Sequence, residues 1–411
     1  MDFSDRLADT ARSRKRPKLN GLPADRYEQD TFSLEGRIHL FEDTLKFRQT
    51  KRIPVLSNIC TWKVLDCGYT FRQALYDWDL MFNIMCSFHE RYVFDCYMDT
   101  GSKNPFSFTE TLNGDRYELN ENTQTICAKD KSYFYDDEYE ELISDPKKFL
   151  WSKVLPRKYE GFASEDSFRK FQKALEEYEK LTEFKKNISE KFTAEYSVPN
   201  YSRTFLSYGF ESLYCYLRGI SATAIDIKKR CRELIDASEV LSGLNSVEEA
   251  VSRACSPEAK KDSVFDIAVP MLGHGILSVS QFEKIYWPFL KRLIRRAEES
   301  SITVSLFCEA DIMRFADFFQ DVPKGILNIH IEEDDIFEMR KKLPSVCLTG
   351  GMPSELLGMS DPKTCVDYAK KLTDEMGRGY IFSQNKMISF ENDCRRENLS
   401  AVNDFLKNYR L

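Results

Sequence analysis

Short β-prone apolar runs alternate with longer stretches of helical periodicity, and no other feature of this chain constrains its fold as tightly. A strand that reads as continuous apolar residues must be covered on both faces, and parallel strands joined by crossover helices meet that demand. Eight such runs are predicted, at 53–58, 93–99, 193–198, 264–269, 302–308, 326–331, 346–350 and 380–383. Eight parallel strands, each followed by a helix, predict a TIM-type (β/α)8 barrel. A length of 411 residues suits one large barrel with additions, so the expected organisation is an arm over 1–33 and a single barrel over 34–411.

Helical signals fill the intervals. Ile38, Phe41 and Leu45 fall at helical spacing in the run from 34 to 47, which predicts an N-terminal helical extension delivering the chain into the first strand. Over 280–299 the residues Phe282, Ile285, Tyr286, Phe289, Leu293 and Ile294 form one apolar stripe that would pack on the barrel. Ser280 with Glu283 reads as a capping box at its start, and Asp361-Pro362 opens a further helix. Two stretches break the alternation. Residues 104–158 contain Gly114 between β-prone neighbours and the acidic run DDEYEE, too long for an ordinary connection, which predicts a lid or hairpin inserted after the second strand. Residues 164–191, with charges interleaved at helical spacing, predict a solvated added helix.

Composition excludes several classes. The 66 acidic and 59 basic residues leave a formal charge of −7, which offers no footprint for nucleic acid. The basic RSRKRPK at 12–18 could serve as a nuclear address or a phosphate-binding arm, and its plainer reading is a solvated, flexible terminus. Twelve cysteines without paired short spacing predict reduced thiols and a cytoplasmic location. No run approaches the roughly 18 apolar residues of a membrane helix, and Met1 begins a polar segment, so neither a membrane nor a signal peptide is expected. Nucleotide cradles and paired-cysteine or H-E-x-x-H zinc motifs have no match.

Chemistry in a barrel concentrates at the C-terminal ends of its strands, where loops converge on one mouth. That rule selects Asp99 with the neighbouring Tyr97 and Asn104, His274 in MLGHGI, Cys308 and Glu309 in SLFCEAD, His330 in LNIHIEE, Gly350 and Gly351 in LTGGMPS, and Asn385 with Lys386. Each has a structural alternative. Asp99 could accept amide protons of a turn, the glycines around His274 could serve a tight bend, and His330 could be an internal hydrogen-bonded residue between two isoleucines. Cys308 could be a packed small hydrophobe. Glu309 is the most informative, because a carboxylate at the end of an apolar strand is costly unless paired, and such sites shift pKa values usefully. The expected catalytic set is Glu309, His330, His274 and Asp99, with Tyr97, Asn104, Gly350, Gly351, Asn385 and Lys386 binding substrate. Cys308, with Glu309 and the two histidines, also has the donor types of a zinc site.

The pieces SVSQFEKIYWPFLKRLI, VSLFCEAD, LNIHIEED, VCLTGGMPSELLGMSDPKTCVDYAKKL, GYIFSQNK and RRENLSAVNDFLK follow one another from about residue 265. Their order resembles the uroporphyrinogen decarboxylase superfamily, which includes corrinoid-dependent methyltransferases. RIHLFEDTLKFRQTKRIPVL and FRQALYDWDLMFNIMCSFHERYVFDCYMD are similar, more weakly, to the superfamily's first units. The resemblance implies an enzyme acting on a small-molecule substrate, with a corrinoid carried on a partner protein docked over the mouth, and a homodimer as an assembly to test. Departures bear on the reaction. Where the decarboxylases carry R-Q-A-G-R to hold substrate carboxylates, this chain has SNICTWKVLDCG. Where the methyltransferases carry His-x-Cys, it has Leu306-x-Cys308, and their later cysteine falls near Asn385 or Lys386, so only Cys308 carries over towards a zinc. Three readings follow: methyl transfer to a corrinoid, with Glu309, His330 and His274 positioning or protonating substrate; decarboxylation of a tetrapyrrole or other carboxylated substrate, with Asp99 stabilising the cation; and non-catalytic binding of a corrinoid or porphyrin.

Overall fold

The computed structural model describes residues 32–99, 106–256 and 262–411. The expected arm and its RSRKRPK segment lie outside the described residues but for its last two, 32 and 33, and Asn104 also lies outside them. The fold is α/β. Strands β5 (Asn200–Phe205), β6 (Ser263–Met271), β7 (Val304–Cys308), β8 (Leu327–Ile331), β9 (Cys347–Met352) and β10 (Tyr380–Gln384) form a six-stranded sheet in the order β10-β9-β8-β7-β6-β5, parallel throughout. Strands β1 (Leu56–Ser57) and β2 (Cys96–Tyr97) pair in parallel with each other. Parallel bridges Val55–Phe382 and Ile59–Ile388 tie the β1 segment to the β10 side, and β2 lies against β5.

Two cores flank these strands. The larger packs outward-facing strand residues against helices, among them α6 (Trp287–Ser300), which buries Phe289, Leu290, Leu293 and Ile294. The smaller gathers Leu56, Cys96, Tyr201, Phe265, Cys347 and Ile381 from β1, β2, β5, β6, β9 and β10 around Phe41 and Leu45. Those two aromatic and aliphatic plugs come from α1 (Leu34–Leu45), capped by the Ser33 hydroxyl on the Gly36 amide. The N-terminal helical extension is therefore present, and it covers one end of the strands. An ion cluster fixes it there: Asp95 accepts from Arg52 at 2.6 and 2.7 Å, from Arg37 at 3.3 Å and from the Val55 amide at 2.9 Å. Burial opposes ionisation of Asp95, but Arg52 and then Arg37 outweigh it and hold the carboxyl below its ordinary range.

Several local expectations are corrected. The third strand begins at Asn200, not at 193, because the apolar stripe Leu181, Phe184, Ile188 and Phe192 carries the added helix α3 (Ser167–Ala194) through Thr193 and Ala194. That helix starts near the predicted position yet is amphipathic, packing its stripe against α2 (Trp78–Arg91). The helix expected over 280–299 is two. Its cap is Ser278 with Gln281 at the start of α5 (Val279–Ile285), and α6 begins afresh because Pro288 has no amide proton to continue the ladder. The insertion after β2 holds an antiparallel hairpin, β3 (Tyr117–Asn120) with β4 (Thr125–Ala128), whose turn lies at 121–124, not at Gly114. The helix after Asp361-Pro362, α7 (Pro362–Glu375), has the expected cap, Asp361 accepting from the Thr364 amide.

Candidate active site

The C-terminal ends of β1, β8 and β10 meet through one histidine. In β8, Asn328 and His330 project to the same face, since strand side chains alternate. Asn328 donates to Ser305 Oγ at 2.8 Å and accepts from Thr349 Oγ1 at 2.7 Å, while Tyr201 Oη lies 2.9 Å from Ser305 Oγ. One step further along, His330 Nε2 lies 3.1 Å from the Gln384 carbonyl and 3.3 Å from Asn58 Nδ2, with the Phe307 ring stacked on it at 5.0 Å. Gln384 Oε1 accepts the Asn58 amide proton at 2.8 Å. A carbonyl can only accept, so the Gln384 contact favours the tautomer with its proton on Nε2, and Nδ1 has no hydrogen-bond partner among the described residues. Complete burial drives the His330 pKa down to about 4. At neutral pH it is an uncharged imidazole.

Around β6 and β7 the tips carry carboxyl groups. The short helix α4 (Gly209–Ser212), which follows β5, presents Glu211 beneath the loop after β6. Glu211 accepts from the amides of Leu272 (3.1 Å) and Gly273 (3.0 Å) and from Tyr286 Oη (2.7 Å). Its full burial pushes its pKa up to about 7, with Glu309 adding in the same direction. Glu309, whose amide bonds to the Met271 carbonyl at 3.0 Å, opens the loop after β7. Glu332, just past β8, accepts the Ala310 amide at 2.6 Å, and Asp334 accepts the amides of Ile312 (2.6 Å) and Met313 (3.1 Å). Ala310 at φ 66° marks the tight path these carboxylates hold. Burial raises the pKa of Glu332 and of Asp334 as well.

A third group lies past β1 and β2. Cys60 Sγ donates to Asp99 Oδ1 at 3.3 Å, and the fully buried Lys63 ammonium donates to the Asp99 carbonyl at 2.6 Å. Burial lowers the Lys63 pKa, opposed by Asp99.

The structure thus brings Glu309 beside Glu211 and Glu332, and His330 beside Asn58 and Gln384, while Asp99 sits with Cys60 and Lys63. Other predicted residues are placed elsewhere. His274 is wholly buried in the turn His274–Ile276, its ring edge towards Phe315, and burial brings its pKa to about 4. Tyr97 points the opposite way from Cys96, into the rings of Phe88, Phe94 and Phe192, with its hydroxyl 2.8 Å from His89 Nδ1. Asn385 is a connector, its Oδ1 accepting the Ser354 amide at 2.9 Å and its Nδ2 donating to the Glu332 carbonyl at 3.1 Å. Lys386 pairs with Glu333 at 3.2 Å. At Gly350 (φ 117°) a Cβ would stand 2.6 Å from the Ile331 carbonyl oxygen, so glycine there lets β8 and β9 approach. Gly351 (φ 91°) packs similarly under Ile336 and Leu372.

Cys308 is buried against Met271 (Sγ to Sδ 3.8 Å), and burial raises its thiol far above the ordinary range. Among the described residues no three His, Cys, Asp or Glu side chains are arranged to hold a metal ion. A cysteine ligates zinc as its thiolate, which burial disfavours at Cys308, and Glu309, His330 and His274 are not gathered around it, so this donor set does not fit zinc. Sequence reasoning missed Glu211, Asn58 and Gln384. The signals were available: Asn58 and Gln384 stand at strand ends, and Glu211 follows an apolar run in GFESLY.

Residues 222–409 match the family described as uroporphyrinogen decarboxylase (URO-D). Over that stretch the chain is similar to the uroporphyrinogen decarboxylase family. Among solved structures, a methyltransferase from Methanosarcina mazei matches with a TM-score of 0.59 at 14% identity, covering 92% of this chain and 98% of that one. The two share a fold over nearly their whole lengths. No curated protein sequence matches. Among the described residues, no helix is long and apolar enough to cross a membrane.

Proposed function

We propose that the eight parallel strands close into a (β/α)8 barrel whose mouth transfers a methyl group from a small methylated donor to a corrinoid carried by a partner protein. Closure is supported by the inner core, which collects side chains from strands at both edges of the ladder around one helical plug, and by β2 lying against β5. The reading of the reaction rests chiefly on the charge of the strand tips. They carry Asp99, Glu309, Glu332, Glu333 and Asp334, and the cations that follow β1, β7 and β10 are engaged: Lys63 with the Asp99 carbonyl, Arg314 with Asp311, and Lys386 with Glu333. A substrate bearing several carboxylates would meet repulsion there, with like charges brought together in a low-dielectric site. A neutral or cationic methyl donor would not. The fold likeness to a methyltransferase points the same way.

A corrinoid held over the mouth would supply the nucleophile that accepts the methyl carbon, and the donor's heteroatom, keeping the bonding pair, would need a proton. His330, uncharged, orients polar groups through its free Nδ1 lone pair. Glu211, with a pKa near neutrality, and Glu309 beside it are the groups able to hold and deliver that proton. The test is spectrophotometric: free cob(I)alamin is incubated with the protein and a panel of methylated alcohols, amines, thiols and aryl ethers. Methylcobalamin formation that Glu309→Gln or His330→Ala lowers by on the order of a hundredfold supports the reading. An inert panel, alongside carbon dioxide release from a carboxylated tetrapyrrole, would replace it with decarboxylation.

A further inference from the structure

The insertion after β2 brings two cations together without a counter-charge. Arg116, just before β3, and Lys158, at the end of the helix Leu155–Lys158, both lie against the ring of Tyr216 in the helical turn Leu213–Leu217. The guanidinium carbon is 5.4 Å and the ammonium nitrogen 5.3 Å from its centroid. Tyr117 flanks Arg116 at 5.7 Å, and Tyr159 flanks Lys158 at 5.5 Å. Backbone bonds fasten these segments: Gly114 and Tyr159 form an antiparallel bridge, the Gly161 amide donates to the Leu112 carbonyl at 3.0 Å, and the Tyr133 amide donates to the Leu217 carbonyl at 2.7 Å. A Cβ at Gly114 would stand 2.9 Å from the Tyr159 ring, so glycine there admits that ring.

Half-buried cations are ordinarily paired. Neither Arg116 nor Lys158 makes an ion pair or a side-chain hydrogen bond with the described residues, and two guanidinium nitrogens, Nε and Nη1, are sealed from solvent with no acceptor. Burial, and then the charge of Arg116, brings the Lys158 pKa down to about 8. The carboxylates of this region are already engaged: Asp115 with Lys131, Glu118 with Lys129 at 3.0 Å, and Asp130 with the amides of Ile220 (2.7 Å) and Ser221 (3.1 Å). The place is nonetheless reachable. Arg116 Nη2 and Lys158 Nζ are not sealed, and Tyr216 is 42% exposed.

Two uncompensated positive charges match a dianion, whereas a carboxylate would neutralise only one. A phosphate monoester carries nearly two negative charges at neutral pH and three strong acceptor oxygens. We infer that Arg116 and Lys158 bind a phosphate dianion, free or as the monoester end of a small molecule, with Arg116 Nη2 and Lys158 Nζ donating to its oxygens beside the Tyr216 ring. The pair stands near the strand tips, since Cys215 is close enough to Arg116, Glu211 and Glu309 for each charge to bear on its thiol. Corrinoid binding and methyl transfer do not enter this inference.

Inorganic phosphate and phenyl phosphate are the probes, titrated calorimetrically into the full-length protein at pH 7 and constant ionic strength, with acetate as the monoanion. Phosphate should bind saturably with a midpoint below about 10 mM, and acetate should not. A tighter midpoint for phenyl phosphate would identify a monoester as the ligand, and equal midpoints free phosphate. The Arg116→Gln/Lys158→Gln variant should bind at least about tenfold more weakly with an unchanged circular dichroism spectrum. In the parent protein, saturating phosphate should slow acetylation of Lys158 by acetic anhydride about fivefold or more and leave the exposed Lys129 unaffected, as read by peptide mass mapping. No saturable binding of either phosphate, acetate binding as tightly as phosphate, a folded double variant that binds like the parent, or Lys158 acetylated equally with and without phosphate would each overturn the inference.

Discussion

Replacing Glu211 by Gln should flatten the pH dependence of stability in a defined window. The native carboxyl is buried and titrates at about 7 against an ordinary value of 4.5. Between those values the folded protein keeps a proton that the unfolded chain has released. Stability therefore falls as pH rises through the window and levels off above about 7. At about 1.4 kcal/mol per pH unit the displacement amounts to about 3 kcal/mol. The Gln variant keeps an oxygen to accept from Tyr286 or the Leu272 and Gly273 amides, so the loop after β6 retains its anchor. Urea unfolding of both proteins at pH 5 and pH 8 gives the comparison. The parent should lose about 2–3 kcal/mol more than the variant between the two. Parallel curves would show that Glu211 titrates as an ordinary carboxylate, and the proton-holding role assigned to it would fall with that result.

Asp95→Asn removes the charge of a buried carboxylate that Arg37 and Arg52 share, and should cost about 3–5 kcal/mol in chemical denaturation. Gly350→Ala forces a Cβ to within 2.6 Å of the Ile331 carbonyl oxygen at a φ of 117°, and should lower stability by about 1–3 kcal/mol in the same assay. Cys308, buried and with its thiol pushed far up, should resist iodoacetamide at pH 8 while the exposed Cys127 and Cys255 are alkylated, as peptide mass mapping will show. Equal labelling would restore Cys308 as a reactive thiolate.

The parallel strands were legible because burial on both faces writes them as plain apolar runs. 264–269, 302–308, 326–331, 346–350 and 380–383 all fall on observed strands. The run at 193–198 was misread because Thr193 and Val198 are β-prone locally, whereas the stripe ending at Phe192 is read only over several helical turns. Strand-tip residues were found by their position, but position does not report direction. Tyr97 turns away because its neighbour Cys96 faces the inner core, and Asn385 is consumed by backbone partners. Glu211 escaped notice because it sits on a helix, and its importance comes from burial and from loop amides distant in sequence. Asn58 and Gln384 are neutral amides whose roles arise only where β1 and β10 meet at His330.

The proposal that the strand tips converge on one mouth that receives a corrinoid can be tested with a paramagnetic ligand. Cob(II)alamin is added to protein labelled with 13C at its methionine methyls, and line broadening is read residue by residue. Met98, Met271 and Met352 stand at the ends of β2, β6 and β9, whereas Met376 caps the C-terminus of α7, which runs back towards the opposite end. The account predicts that the first three signals broaden together and that Met376 stays sharp. Broadening of Met376, or of only one of the three strand-end methyls, would contradict it.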